Sequence, residues 1–225
     1  MASYATVDEL QVRTNMVAVL TAAKETAYEE IIAAISNKID RFCRRPDGFV
    51  ATVADVTRYF QGSGKRSMRI PECTSITTVS VKDAYLDTTY VAWDTPTTVL
   101  AGDGDWFPSA GSVSRPIYNR TPYTLLQIDQ NGDYSYFTKG ILGMVTVEIV
   151  AKWGYATTVP ADIQEACLAQ AAILIKRFEA SMSTVTGDAN LGTIVTSVRA
   201  ASLEKDVRNM LVDSNWVLPL YAGGY

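Results

Sequence analysis

The chain has 225 residues, 48% hydrophobic and 20% charged, with a formal net charge of −4 and no histidine. That balance suits one large globular domain or two small ones. With no lysine- or arginine-rich run it argues against a dedicated nucleic-acid binder, whose affinity rests on cations set against phosphates, and the missing histidine removes the commonest general base and transition-metal ligand.

The three cysteines, Cys43, Cys73 and Cys167, are odd in number and far apart, and they read as reduced, buried thiols of a cytosolic setting. No charged-then-apolar leader opens the sequence and no apolar run reaches bilayer length, so neither secretion nor a membrane span is expected. Asn119-Arg120-Thr121 fits the glycosylation pattern, a match without meaning when secretion is not expected.

Thr6-Val7-Asp8-Glu9 is a capping box that opens a short helix to about Arg13. A second helix is predicted from Ala22 to Arg44, with Tyr28, Ile31, Ile32, Ile35, Ile39 and Phe42 as one apolar stripe. Arg44 and Arg45 suit the negative end of its dipole, and Pro46-Asp47-Gly48 stops it. Residues 56–61 and 67–70 then alternate around Gly62-Ser63-Gly64-Lys65, which predicts a hairpin. Ile76–Val81 is a β-branched strand. Weaker strands are expected at Tyr90–Trp93, Thr97–Leu100 and Thr124–Ile128, with Ala101–Pro122 mostly loop because of its glycines and prolines.

Val145, Val147 and Ile149 alternate with Thr146, Glu148 and Val150 in a strand ended by Lys152-Trp153-Gly154-Tyr155. Pro160 suits the first position of the next helix, with Asp162 and Glu165 early and Lys176 and Arg177 late. Between them Ala166–Ile175 is apolar on almost every side, so the helix must be covered all round, by its own chain or by neighbouring subunits. A Ser/Thr/Gly linker, Ser183–Thr196, leads to a short helix near Val198–Val212. The ending from Asp213 is apolar where termini are usually polar. Trp216, Val217, Leu218, Leu220, Tyr221 and Tyr225 read either as a tail folded back on its own sheet or as an arm that orders against a partner.

Signals for chemistry are weak. Gly62-Ser63-Gly64-Lys65 lacks the glycine spacing, the Ser/Thr after lysine and the following helix of a phosphate loop. Asp129-Gln130-Asn131-Gly132-Asp133 begins like a calcium loop, but its glycine stands one position before Asp133 rather than after it, and Gly140 stands where the bidentate acid belongs. Both read as turns, as does Gly102-Asp103-Gly104-Asp105. No catalytic residue, metal ligand or cofactor is expected. Aromatic residues crowd 85–137, as a core for a thin sheet or as a carbohydrate- or base-stacking surface.

In order and spacing the pieces resemble the head–tail connector (adaptor) proteins of tailed bacteriophages. The matching stretches are Thr6–Leu10, Ile35–Arg45, Thr57–Gly62, Ile70-Pro71 with Ile76–Val79, Lys152-Trp153-Gly154-Tyr155 with Val159–Ile163, and Asp206–Leu211. The resemblance covers nearly the whole chain, and 88–136 fits it least. It implies an α+β protein whose helical bundle forms a ring body, with N-terminal helices in 1–49, an inserted antiparallel β-rich region in 50–158, central and late helices in 159–212 packing on the first, and an extended C-terminal arm in 213–225.

It further implies a non-enzymatic virion protein of the neck, made in the host cytoplasm. Its homo-oligomeric ring, typically dodecameric, docks on the portal protein, extends the DNA channel without specific DNA binding, and carries a stopper or tail-completion protein. Ala166, Ala169, Ala172 and Ile173 would then sit between subunits, and Trp216, Val217, Leu218, Leu220, Tyr221 and Tyr225 would hold the portal or an adjacent subunit. The rival expectation is a carbohydrate- or host-surface-binding virion module.

Overall fold

A computed structural model of the chain describes residues 3–16, 20–98, 102–112, 114–118, 120–182 and 202–218. Two compact units emerge, a helical one from Met1–Phe49 with Val159–Leu220, and a sheet from Val50–Thr158.

The helical unit has four helices among the described residues: α1 (Val7–Thr14), α2 (Ala22–Cys43), α3 (Ala161–Met182) and α4 (Lys205–Asp213). The capping box at Thr6 and Glu9 forms in full, and hydrogen bonding to Thr6 holds the Glu9 carboxyl below its usual range. α2 buries Ile31, Ile32, Ile35 and Ile39 against α3, which also meets α1 and α4. Across α1 and α3, Arg13 pairs with Glu165 at 2.5 Å and Gln164 donates to Glu9 at 2.6 Å. Arg177 pairs with Glu204, and the Glu204 N–H donates to buried Gln170, which seats the start of α4 on α3.

Three of the helices stop the same way. At Asn15, Arg44 and Asn215 the chain turns left-handed, with φ near +56°, +59° and +59°. At each the left-handed residue's N–H reaches back three residues and the next N–H five, closing orphan carbonyls in the Schellman pattern.

Among the described residues the sheet has seven strands: β1 (Val56–Phe60), β2 (Ser67–Val81), β3 (Val91–Ala92), β4 (Trp106–Ser112), β5 (Arg115–Ile117), β6 (Tyr123–Ile128) and β7 (Val147–Trp153). Every ladder is antiparallel, in the order β1-β7-β2-β6-β4-β5, with β3 on the end of β2. The fold is thus α+β. Four helices, two of them of eight and nine residues, do not by themselves make the expected ring-body bundle.

Two local expectations are corrected. β1 and β2 do not pair as a hairpin; β7 lies between them. The reason is burial: Val147, Ile149, Ala151 and Trp153 of β7 are all fully buried, which demands a central strand. The turn Gly62–Lys65 instead bonds to 137–140, through Gly64 N to Phe137 O, Phe137 N to Lys65 O and Gly140 N to Gly62 O. Likewise 101–122 is not mostly loop, since it carries β4 and β5. Pro108 is tolerated because that stretch of β4 has only β6 beside it, β5 joining at 110–112. In β2 the register shifts between Arg69 and Cys73, at Pro71, which has no N–H for the ladder. Of the weaker strands, 97–98 is not extended and 99–100 lies outside the described residues, as do the linker and the start of the last predicted helix.

Trp153 closes one end of the sheet. Its ring meets the Phe60 ring at 5.6 Å and has the Arg58 guanidinium over it at 4.7 Å, while its indole N–H donates to Val56 O at 2.7 Å. Gly154 follows at φ +138°, where a Cβ would stand 2.5 Å from Ala51 Cα; no other residue fits.

Candidate functional site

The most elaborate arrangement in the helical unit lies at the C-terminal end of α2, where three stretches distant in sequence converge. Its foundation is Asp40, 4% exposed. The Tyr4 hydroxyl donates a short hydrogen bond to Asp40 Oδ1 and accepts one from Phe49 N–H at 2.9 Å. Tyr4 N–H donates to Ser36 Oγ, one helical turn before Asp40. Gly48 has φ +75°, and a Cβ there would stand 2.9 Å from the Tyr4 hydroxyl, so glycine lets the chain wrap this closely.

Burial disfavours the charged carboxylate and pushes Asp40 up to about 6, although the Tyr4 hydrogen bond and the nearby Arg45 charge favour ionisation. Burial also raises Tyr4, helped by the same hydrogen bond. It lifts the thiols of Cys43 and Cys167 to about 12, which makes them inert at neutral pH.

The C-terminal segment closes the arrangement. Trp216 takes its place from the Schellman turn at Asn215 and meets the Phe49 ring edge-on, centroids 5.5 Å apart. Phe49 also meets Tyr4 edge-on and lies under the Arg45 guanidinium, 4.8 Å from the ring centre. Arg45 Nε donates to Trp216 O, Arg44 donates to Leu218 O at 2.7 Å, and Leu218 N–H donates to Cys43 O, an orphan carbonyl of α2. Arg44 occupies the left-handed cap where glycine is the usual choice; its guanidinium, which glycine would lack, holds the segment. Tyr4, Asp40, Arg45, Phe49 and Trp216 thus form a clasp. It positions chain and has no reacting group exposed.

Residues 216–218 are therefore bound within their own helical unit. Leu220, Tyr221 and Tyr225 lie outside the described residues. On α3, Ala166 is fully buried and Ala172 is buried, whereas Ala169 and Ile173 are half-buried, so only the last two present surface. Sequence reasoning missed Tyr4, Asp40 and Phe49. The Arg44-Arg45 pair at a helix end was the available signal.

In the sheet unit, the suspected loops organise backbone. Ser63 Oγ donates to Ser67 O, and Asp129 accepts from Asn131 N–H. Asp105 accepts the N–H groups of Asp94 and Asp133 on its two oxygens. Among the described residues no group of three or more acids or cysteines is placed to hold a metal ion. Most of the aromatic side chains face inward: Trp93 is stacked on Tyr134 at 4.5 Å and on Phe137 at 5.1 Å, and Trp106 is buried. Tyr85 and Tyr136 remain exposed. No described helix is long and apolar enough to cross a membrane.

No family model and no curated protein matches the chain. Among solved structures, it is similar to a chain of a structure titled "Neck of empty GTA particle computed with C6 symmetry". The TM-score is 0.45 and the identity 12%, over 88% of this chain and 91% of that one, a likeness that carries no functional weight.

Proposed function

We propose that the chain is a structural, non-catalytic component of a tailed-phage neck: a head–tail connector whose copies form a ring on the portal, extend the DNA channel and support the stopper or tail. What supports the reading is where the resembling stretches fall. Thr6–Leu10 opens α1, Ile35–Arg45 ends α2 in the clasp, Thr57–Gly62 spans β1, Trp153–Tyr155 ends β7, Val159–Ile163 opens α3 and Asp206–Leu211 lies in α4.

On this reading the ring body is the helical unit, with Ala169 and Ile173 at the subunit contact, and the segment beyond Leu218, launched from the clasp, reaches the portal. A mildly acidic surface suits a channel in which DNA slides without adhering. Native mass measurement with and without portal protein tests the proposal. A ring that appears only with the portal, and no salt-dependent binding to duplex DNA, is the expected result. A chain that ignores the portal and binds glycans would replace it with the host-surface reading.

A further inference from the structure

We propose that the loop end of the sheet unit is a self-association surface, on which two copies of this chain each insert the turn Ile141–Met144 into a recess of the other. The turn is built for display. Leu142 and Gly143 have φ +52° and +81°, and Met144 N–H donates to Ile141 O at 3.0 Å, which is the geometry of a type I′ turn. Asparagine or glycine is the usual choice at the first of these positions. Here leucine holds it, 95% exposed, and a Cβ added at Gly143 would meet nothing within 4 Å. An exposed, left-handed leucine costs the fold stability and gives nothing back within the chain, so its return lies outside it.

The flanks are rigid. Gln61 donates to Gly140 O, and Thr146 takes the N–H of Gly62 while its own N–H bonds Phe60 O. Ile141 and Met144 of the turn are exposed along with Leu142, as is Tyr136 in the segment leading to it. Such a concentration marks a binding surface.

A recess lies beside the turn. It measures about 330 Å³ and is walled by Val81, Trp93, Tyr134 and Tyr136, with Asp83 and Asp133 exposed on its lining. Its one lysine, Lys82, is turned onto the Tyr90 ring, 4.8 Å away, so the recess presents carboxylates. The turn carries the opposite charge, Lys139, exposed just before it. Recess and turn are neighbours, because Thr138 lines the recess, its carbonyl accepts from Thr146 Oγ1, and Lys82 N–H donates to Thr146 O. A patch holding both a knob and a hole of opposite charge matches itself across a two-fold axis.

The inference does not rest on the neck reading, since it concerns the purified chain with no other protein present. Analytical ultracentrifugation of the full chain tests it. The wild type is expected to self-associate, and Leu142→Asn to weaken association about tenfold or more. The same variant is expected to raise the melting midpoint, because asparagine is at ease at this φ; a misfolded variant would lower it. Lys139→Glu and Asp133→Lys should each weaken association, and mixing the two variants should restore it. A wild type that is monomeric at every concentration, a Leu142→Asn variant that associates normally, or a mixture that fails to recover would overturn the proposal.

Discussion

The clasp of the helical unit and the loop end of the sheet unit each use a non-glycine residue in the left-handed region, and they use it differently. At Arg44 the turn ends a helix in a hydrogen-bonded cap, and the side chain holds Leu218. At Leu142 the turn is closed by a single hydrogen bond, Met144 N–H to Ile141 O, and the side chain is 95% exposed. Asn15 and Asn215, the other two such residues among those described, are helix caps like Arg44. The lesson is that backbone strain alone does not mark function. At Leu142 it is the exposure of an apolar side chain, with no helix to cap, that motivates the proposed contact. Damage to the clasp should therefore appear as lost stability, and damage to the loop end as lost association with stability kept or gained.

The largest effect that separates the two is Trp216→Ala. It removes a ring packed on Phe49 and is expected to cost about 2 kcal/mol, below the figure for a fully buried tryptophan because Trp216 is half-buried. For a chain of this length that lowers the thermal midpoint by roughly 4–8 °C. An unchanged midpoint would mean that the C-terminal segment is loose in solution and that the clasp does not hold it.

A smaller effect sharpens the same side of the comparison through pH. Asp40 binds its proton more tightly folded, at about 6, than unfolded, near 3.8. The folded state therefore carries more protons between those values, and this group's contribution rises as pH falls through 6 and is complete below about 4. Relative to Asp40→Asn, the wild type should gain about 1 kcal/mol between pH 7 and pH 5, measured by urea unfolding. An equal change in both proteins would show that Asp40 is not the group responsible.

The smallest effect is that of Arg44→Gly. Glycine relieves the left-handed backbone, worth about 1 kcal/mol, while the hydrogen bond to Leu218 O is lost, worth a similar amount. The midpoint should barely move, yet chymotrypsin should cut after Trp216 sooner than in the wild type. A variant that resists cleavage as well as the wild type would show the guanidinium to be dispensable.

Much of the fold was legible because periodicity follows burial. The alternation at 147–153, the stripe of α2 and the box at Thr6 all describe faces that local spacing alone determines. The pairing of β1 with β7 in place of β2 was not legible, since a turn signal such as Gly62–Lys65 says that the chain reverses and not which strand lies beside it. β4 was hidden because its place beside β6 excuses a proline that reads as a breaker. The clasp was invisible for a related reason. Tyr4, Asp40, Phe49 and Trp216 lie up to 212 positions apart (216 − 4), and no local pattern joins a tyrosine near one end to a tryptophan near the other. The apolar C-terminal stretch was visible as unusual, but whether it binds a partner or its own helix is decided by Phe49 and Arg45 in space.

The neck assignment is tested most directly by adding purified chain to tailless, portal-bearing heads and imaging the particles by electron microscopy. The account predicts a ring of added density at the portal vertex and nowhere else. Heads left bare, or chain scattered over the capsid surface, would contradict it.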